Sequence, residues 1–133
     1  MKIRRGRNQR AKLGRLGENI AAELLTSLGM NILARNWRCR VGELDVVALD
    51  DNEIVFAEVK TLRQKDGFSP ASNLSFRQRK RNYHAALVYL KALDITGIPG
   101  RFELIEITFK GRFLHKVIRH ADYLPPLPPG ATS

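Results

Sequence analysis

The sequence predicts an α/β domain in the order helix, three strands, helix, two strands. Three observations point to it. Leu13, Leu16, Ile20, Leu24 and Leu28 recur at helical spacing; two segments rich in Val, Ile, Leu and Phe, 43–49 and 53–60, flank a turn signal at Asp51-Asn52; and a second helical stripe is followed by two strand-like runs. At 133 residues with 44% hydrophobic content, the chain is one domain with enough apolar side chains for a core.

The elements follow in order. Residues 1–12 read as a basic, flexible arm, ahead of a domain over 13–120 and a Pro-rich tail over 121–133. The first helix spans about 13–28, with Gly29 as its stop, and Glu18 borders its apolar stripe beside Ala21, Ala22 and Leu25. Residues 31–40 form a first strand. The segments 43–49 and 53–60 form a hairpin, and 61–74, with Gly67 and Pro70, is a long loop. Ser75 and Gln78 resemble a capping box opening a helix whose stripe is Phe76, Tyr83, Leu87 and Leu90. Residues 101–108 and 112–119 are the last strands. The first of these follows a helical crossover and is expected parallel to 53–60.

The hairpin carries the chemistry. A two-residue loop at Asp51-Asn52 sets Asp45 opposite Glu58 and Glu43 opposite Lys60, and period-2 alternation places Lys60 on the face of Glu58. Like charges facing each other across a ladder destabilise it, so two carboxylates there need a cation or a raised pKa. Hard oxygen donors with room for water and phosphate suit Mg²⁺, with Mn²⁺ as a second candidate. The plain alternative is three solvated residues on an open sheet face. Against it, the same face carries Val47, Leu49, Ile54 and Phe56, so the charges lie at the end of an apolar surface.

Charge points to the partner. There are 23 Lys and Arg against 13 Asp and Glu, a net charge of +10, which favours a polyanion over acidic substrates. Arg4, Arg5, Arg7, Arg10, Lys12 and Arg15 crowd the N-terminus; Arg77, Arg79, Lys80 and Arg81 crowd the start of the second helix; Arg63 and Lys65 follow the hairpin. These are the expected phosphate-binding residues. The lone Cys39 excludes an intramolecular disulfide and a cysteine-based zinc site. No apolar run suggests a membrane span or signal peptide, and a cytoplasmic location is expected.

Taken together, Gly17-Glu18 with Ala21, Asn36, Gly42-Glu43-Leu44-Asp45, Phe56-Ala57-Glu58-Val59-Lys60 and Arg101-Phe102 resemble the YraN family of small nuclease-like proteins. That family looks like the Holliday-junction-resolvase-like branch of the PD-(D/E)XK nucleases. The resemblance covers about residues 14–120. It implies a restriction-endonuclease-like core with a mixed central sheet flanked by helices, Glu18, Asp45 and Glu58 as metal ligands, and Lys60 as the catalytic lysine. Glu43 and Gln78 are expected to support the site. Gln78 stands where the family usually has Lys, and Glu103 where it usually has Asp. The implied activity is a metal-dependent endonuclease acting on DNA, with branched or structured DNA among the candidate substrates and RNA as the other nucleic acid the sequence leaves open, and a homodimer is the assembly that symmetric cutting would require. The alternatives are a non-catalytic nucleic-acid-binding module on the same fold, and an assembly factor that uses the Pro-rich tail.

Overall fold

The computed structural model describes residues 2–64 and 75–130, with side chains from position 9 onward in the first helix. Its elements are α1 (Lys2–Ser27), β1 (Asn31–Cys39), β2 (Gly42–Asp50), β3 (Glu53–Arg63), α2 (Phe76–Ala92), β4 (Gly100–Lys110) and β5 (Phe113–Ala121). The strands form one sheet in the order β1-β2-β3-β4-β5. Three of the four pairings are antiparallel, and β3–β4, which α2 connects, is parallel, as the crossover required. The fold class and element order are those expected.

Each sheet face takes one helix. Val46, Ala48, Val55, Ala57, Ile105, Ile107 and Phe109 pack with Ala21 and Leu25 of α1. On the other face, Leu44, Val47, Ile54, Phe56 and Phe102 pack with Ala85, Ala86, Tyr89 and Leu90 of α2. Alternation along β2 and β3 thus serves two cores at once, as a sheet covered on both sides requires.

Three expectations are corrected. First, α1 begins at Lys2, not near Leu13, so the backbone expected as an arm is helical; the run is rich in Arg and Lys and proline-free, which suits a helix. Second, the buried face of α1 is rotated from the expected stripe, of which Leu13 and Ile20 still pack against the core. Leu16 and Leu28 are 45% and 49% exposed, whereas Gly17, Ala21, Ala22 and Leu25 are buried. Small residues win because they let the helix approach closely: a Cβ on Gly17 would lie 2.0 Å from Thr61 Oγ1. Third, the described part of the segment expected as a C-terminal tail is docked through Tyr123, Leu124 and Leu127. Gly100 and Leu127 exchange two backbone hydrogen bonds of 2.8 Å, and Leu127 is 1% exposed in the α2-side core, with Tyr123 and Leu124 packed against it. The expected 61–74 loop starts later, because β3 runs on to Arg63. Residues 65–74, Lys65 among them, lie outside the described residues.

An ion-pair network ties the hairpin turn to the far strands. Arg101 donates to Asp50, Glu53 and Glu103, and Arg119 donates to both oxygens of Glu103, which is 2% exposed. Burial works against the Arg101 charge, but its hydrogen bonds to Glu53, Asp50 and Glu103 more than offset this and raise its pKa.

Candidate active site

The site forms where the sheet opens. The β2–β3 ladder keeps the expected register from Asp50↔Glu53 to Val46↔Ala57 and ends there. Beyond it, the Val59 N–H donates to Asp45 Oδ2 at 2.9 Å, so a side chain has replaced a main-chain acceptor. Leu44 and Val47, three residues apart, both face α2, which breaks the alternation across Asp45. The neighbouring strand distorts at the same level. Asn36 falls between the pairs Arg35↔Val46 and Trp37↔Leu44, opposite Asp45, and has φ 52°. Asn tolerates that left-handed conformation better than most residues, which gives the Asn36 of the motif a physical reason.

Asp45 and Glu58 come together without being formal ladder partners. Asp45 is 7% exposed. Burial first, then the charges of Glu18 and Glu43, raise its pKa, against the lowering effect of the Val59 N–H. Glu58 is raised further, by burial and then by the Asp45 charge and a hydrogen bond to Asp45. A carboxyl pair of this kind holds a proton unless a cation takes its place. Gln78 Nε2 donates to Glu58 Oε1 at 3.1 Å, and its own backbone N–H is capped by Ser75 Oγ at 3.1 Å, so the start of α2 is fixed against β3. Val59 and Gln78 thus each hold one oxygen of the pair, Asp45 Oδ2 and Glu58 Oε1.

Glu18 is held at the site by Gly17. The close contact of Gly17 with Thr61 sets α1 against β3, and the Glu18 charge acts on Asp45 from there. Among the described residues no three or more His, Cys, Asp or Glu side chains are gathered into one metal-holding group, so the expected trio of Glu18, Asp45 and Glu58 is not assembled as a cluster. Two converging carboxylates are what remain, and Mg²⁺ is commonly held by one or two, with water and phosphate completing its shell. The desolvated, charge-strained Asp45–Glu58 pair therefore fits a divalent cation.

Lys60 follows Glu58 on the same strand, half-buried, and among the described residues no ion pair engages it. Its expected partner is corrected. Glu43 does not face Lys60, because the ladder has ended; it pairs with Arg38 at 3.3 Å. The acid in register with Lys60 is Glu106 of β4, 1% exposed and 3.9 Å from His120 Nε2. A cavity of about 230 Å³ beside the pair is lined by Glu43, Glu58, Ser75, Arg77, Gln78, Arg81 and Asn82. Gly42 makes room for α2 here, with the Arg81 carbonyl 3.0 Å from where its Cβ would be.

The basic residues divide. Arg77 and Arg81 reach the cavity of Glu58, while Arg79 and Lys80 do not line it. Arg10 and Arg15 are exposed on α1, Lys12 and Arg63 line a separate groove, and the side chains of Arg4, Arg5 and Arg7 lie outside those described. Two residues escaped the sequence reading. Asn82, 5% exposed, donates to the Tyr123 hydroxyl at 3.0 Å, and both line a small pocket with Glu58. Burial and the Glu58 charge raise the Tyr123 pKa. The polar Asn82 on the inner face of α2, next to the tyrosine stripe, was the available signal.

A family model described as "Uncharacterised protein family UPF0102" matches residues 17–107, a span that includes Glu18, Asp45, Glu58, Lys60 and Gln78 but not Tyr123. The UPF0102 protein of Roseiflexus castenholzii is 36% identical over 116 residues, 86% of this chain and 94% of that protein. That of Nocardia farcinica is 42% identical over 95 residues, 71% of this chain and 75% of its own. A UPF0102 protein of Oleidesulfovibrio alaskensis is 44% identical over 99 residues, 74% of this chain and 49% of that protein, so the alignment spans about half of that relative.

Proposed function

This chain belongs to the UPF0102 family, and from that premise we propose that it is a Mg²⁺-dependent nuclease hydrolysing phosphodiester bonds in DNA. One observation carries the reading: Asp45 and Glu58 are driven together, desolvated and with raised pKa values, at the point where β2 leaves β3. Such a pair is costly for an apoprotein and is relieved by a divalent cation, with Mn²⁺ as a workable substitute. When bound, the cation lowers the pKa of a water and neutralises charge building on the scissile phosphate.

The protein's own groups supply the rest. Asp45 and Glu58 hold the cation, Glu18 adds negative potential from α1, and Gln78 fixes the orientation of Glu58. Lys60, half-buried on the face of Glu58, orients the attacking water or stabilises the developing oxyanion. Arg77 and Arg81 hold flanking phosphates beside the cavity. The test is a nicking assay on Lys60→Ala. Cleavage should fall at least ~100-fold with DNA affinity nearly unchanged; equal nicking by wild type and variant removes the role given to Lys60.

A second reading has its own observation. Because no three-acid group forms among the described residues, a nucleic-acid-binding module without catalysis also fits this scaffold. It predicts salt-sensitive DNA binding indifferent to Mg²⁺ and to Asp45→Asn.

A further inference from the structure

We propose that a groove on the α1 side of the sheet is a second phosphate-binding site, holding the DNA strand as it leaves the carboxylates. The groove measures about 260 Å³ and is lined by Gln9, Lys12, Leu13 and Leu16 of α1, by Arg63 at the end of β3, and by Gly111 and Arg112 in the β4–β5 turn. Three cations from three separate elements converge there, and no acid lines the groove. Among the described residues no ion pair engages Lys12, Arg63 or Arg112, so nothing in the fold accounts for their meeting. The turn is built to present the last of them. Gly111 has φ 64°, the conformation that favours glycine, and Lys110↔Phe113 closes the hairpin with Arg112 at its tip.

Position argues for a polynucleotide. Lys12 is six residues before Glu18, whose charge acts on Asp45, so the groove lies about 9 Å along α1 from that acid. That distance matches roughly three stacked nucleotides of one strand at ~3.4 Å each. The cavity with Arg77 and Arg81 is on the α2 side, and a single continuous polyanion can occupy both flanks of the Asp45–Glu58 pair. The groove is recessed, with Leu13 and the exposed Leu16 between its charges, which accommodates a sugar or unpaired base between held phosphates. A flat anionic lipid surface would not need that recess. The inference rests on the proposed function for its ligand class and leaves the chemistry aside.

The experiment is fluorescence anisotropy with a labelled single-stranded DNA of about 20 nucleotides, in EDTA, over a salt series. Arg63→Ala/Arg112→Ala is compared with Lys91→Ala/Lys116→Ala, which removes the same charge from exposed positions outside the groove. Two lost contacts at ~0.7 each should lower the log Kd against log salt slope by about 1.4 for the groove variant, about 25-fold weaker binding at ~0.1 M salt, and leave the control near wild type. Equal slopes in all three proteins overturn the groove, as does equal loss in both variants. Loss of binding to phosphatidylglycerol vesicles by the groove variant, with DNA binding intact, overturns it in favour of lipid. Mg²⁺-dependent nicking by wild type is scored separately, so failure here does not count against the nuclease reading.

Discussion

Two glycines on one helix give a controlled test of how α1 is seated. Gly14 has nothing within 4 Å of the position a Cβ would take, whereas at Gly17 that Cβ would meet Thr61 Oγ1 at 2.0 Å, Thr61 Cβ at 3.1 Å and Thr61 Cγ2 at 3.2 Å. Alanine in a helix interior is favoured over glycine by about 1 kcal/mol, so Gly14→Ala should stabilise the protein by about that much. Gly17→Ala gains the same propensity but must open a contact to the ~3.5 Å or more of ordinary carbon packing. Rotating Thr61 does not clear it, because Thr61 Cβ itself is in the way. Overpacking of this kind costs about 1–3 kcal/mol, so the two variants should differ by that amount in urea denaturation. Thr61→Ala, which removes Oγ1 and Cγ2, should recover much of the loss in the Gly17→Ala background and yield a measurable coupling energy. If both alanines raise the midpoint equally, α1 is not held against β3 as described, and the placement of Glu18 loses its basis.

Two further perturbations probe the rest of the account. Leu127→Ala should cost about 2–5 kcal/mol, because Leu127 is 1% exposed in the α2-side core; a pendant tail would give no measurable change in the same denaturation. Stability of the metal-free protein should fall as pH rises. Glu58 is raised from 4.5 to about 9 and Asp45 from 3.8 to about 6, so the folded state binds these protons more tightly than the unfolded chain. Stability from them is full below about pH 4 and is lost as pH passes 6 and then 9. Thermal midpoints between pH 6 and 9 should drop more steeply for wild type than for Asp45→Asn/Glu58→Gln, and Mg²⁺ should flatten the wild-type curve. Parallel curves without metal would remove the coupled pair.

Much of the architecture was legible because local signals were strong. The Asp51-Asn52 turn fixed the hairpin register as far as Val46↔Ala57, and Ser75 capped α2 through the Gln78 N–H as its sequence suggested. What ended the register was not local. Asp45 accepts from Val59, and Asn36 takes positive φ on the next strand, a distortion shared between two strands that period-2 counting has no means to register. The buried face of α1 was misplaced because leucine spacing reports apolar bulk, whereas the seating depends on the absent side chain of Gly17. The docking of Leu127 was hidden by its prolines, since a single residue bridging to Gly100 leaves no periodicity. The Arg101 network and the Asn82–Tyr123 pair join residues tens of positions apart and are visible only once the strands are aligned.

The most direct measurement is calorimetric titration of Mg²⁺ and Mn²⁺ into wild type and Asp45→Asn/Glu58→Gln, with a DNA nicking assay run on the same preparations. A metal centre at Asp45 and Glu58 predicts binding to wild type alone, with proton release that grows as pH falls toward 7, and nicking that requires the metal. No binding by either protein, with DNA present, contradicts the metal centre and leaves a basic nucleic-acid-binding module on this fold.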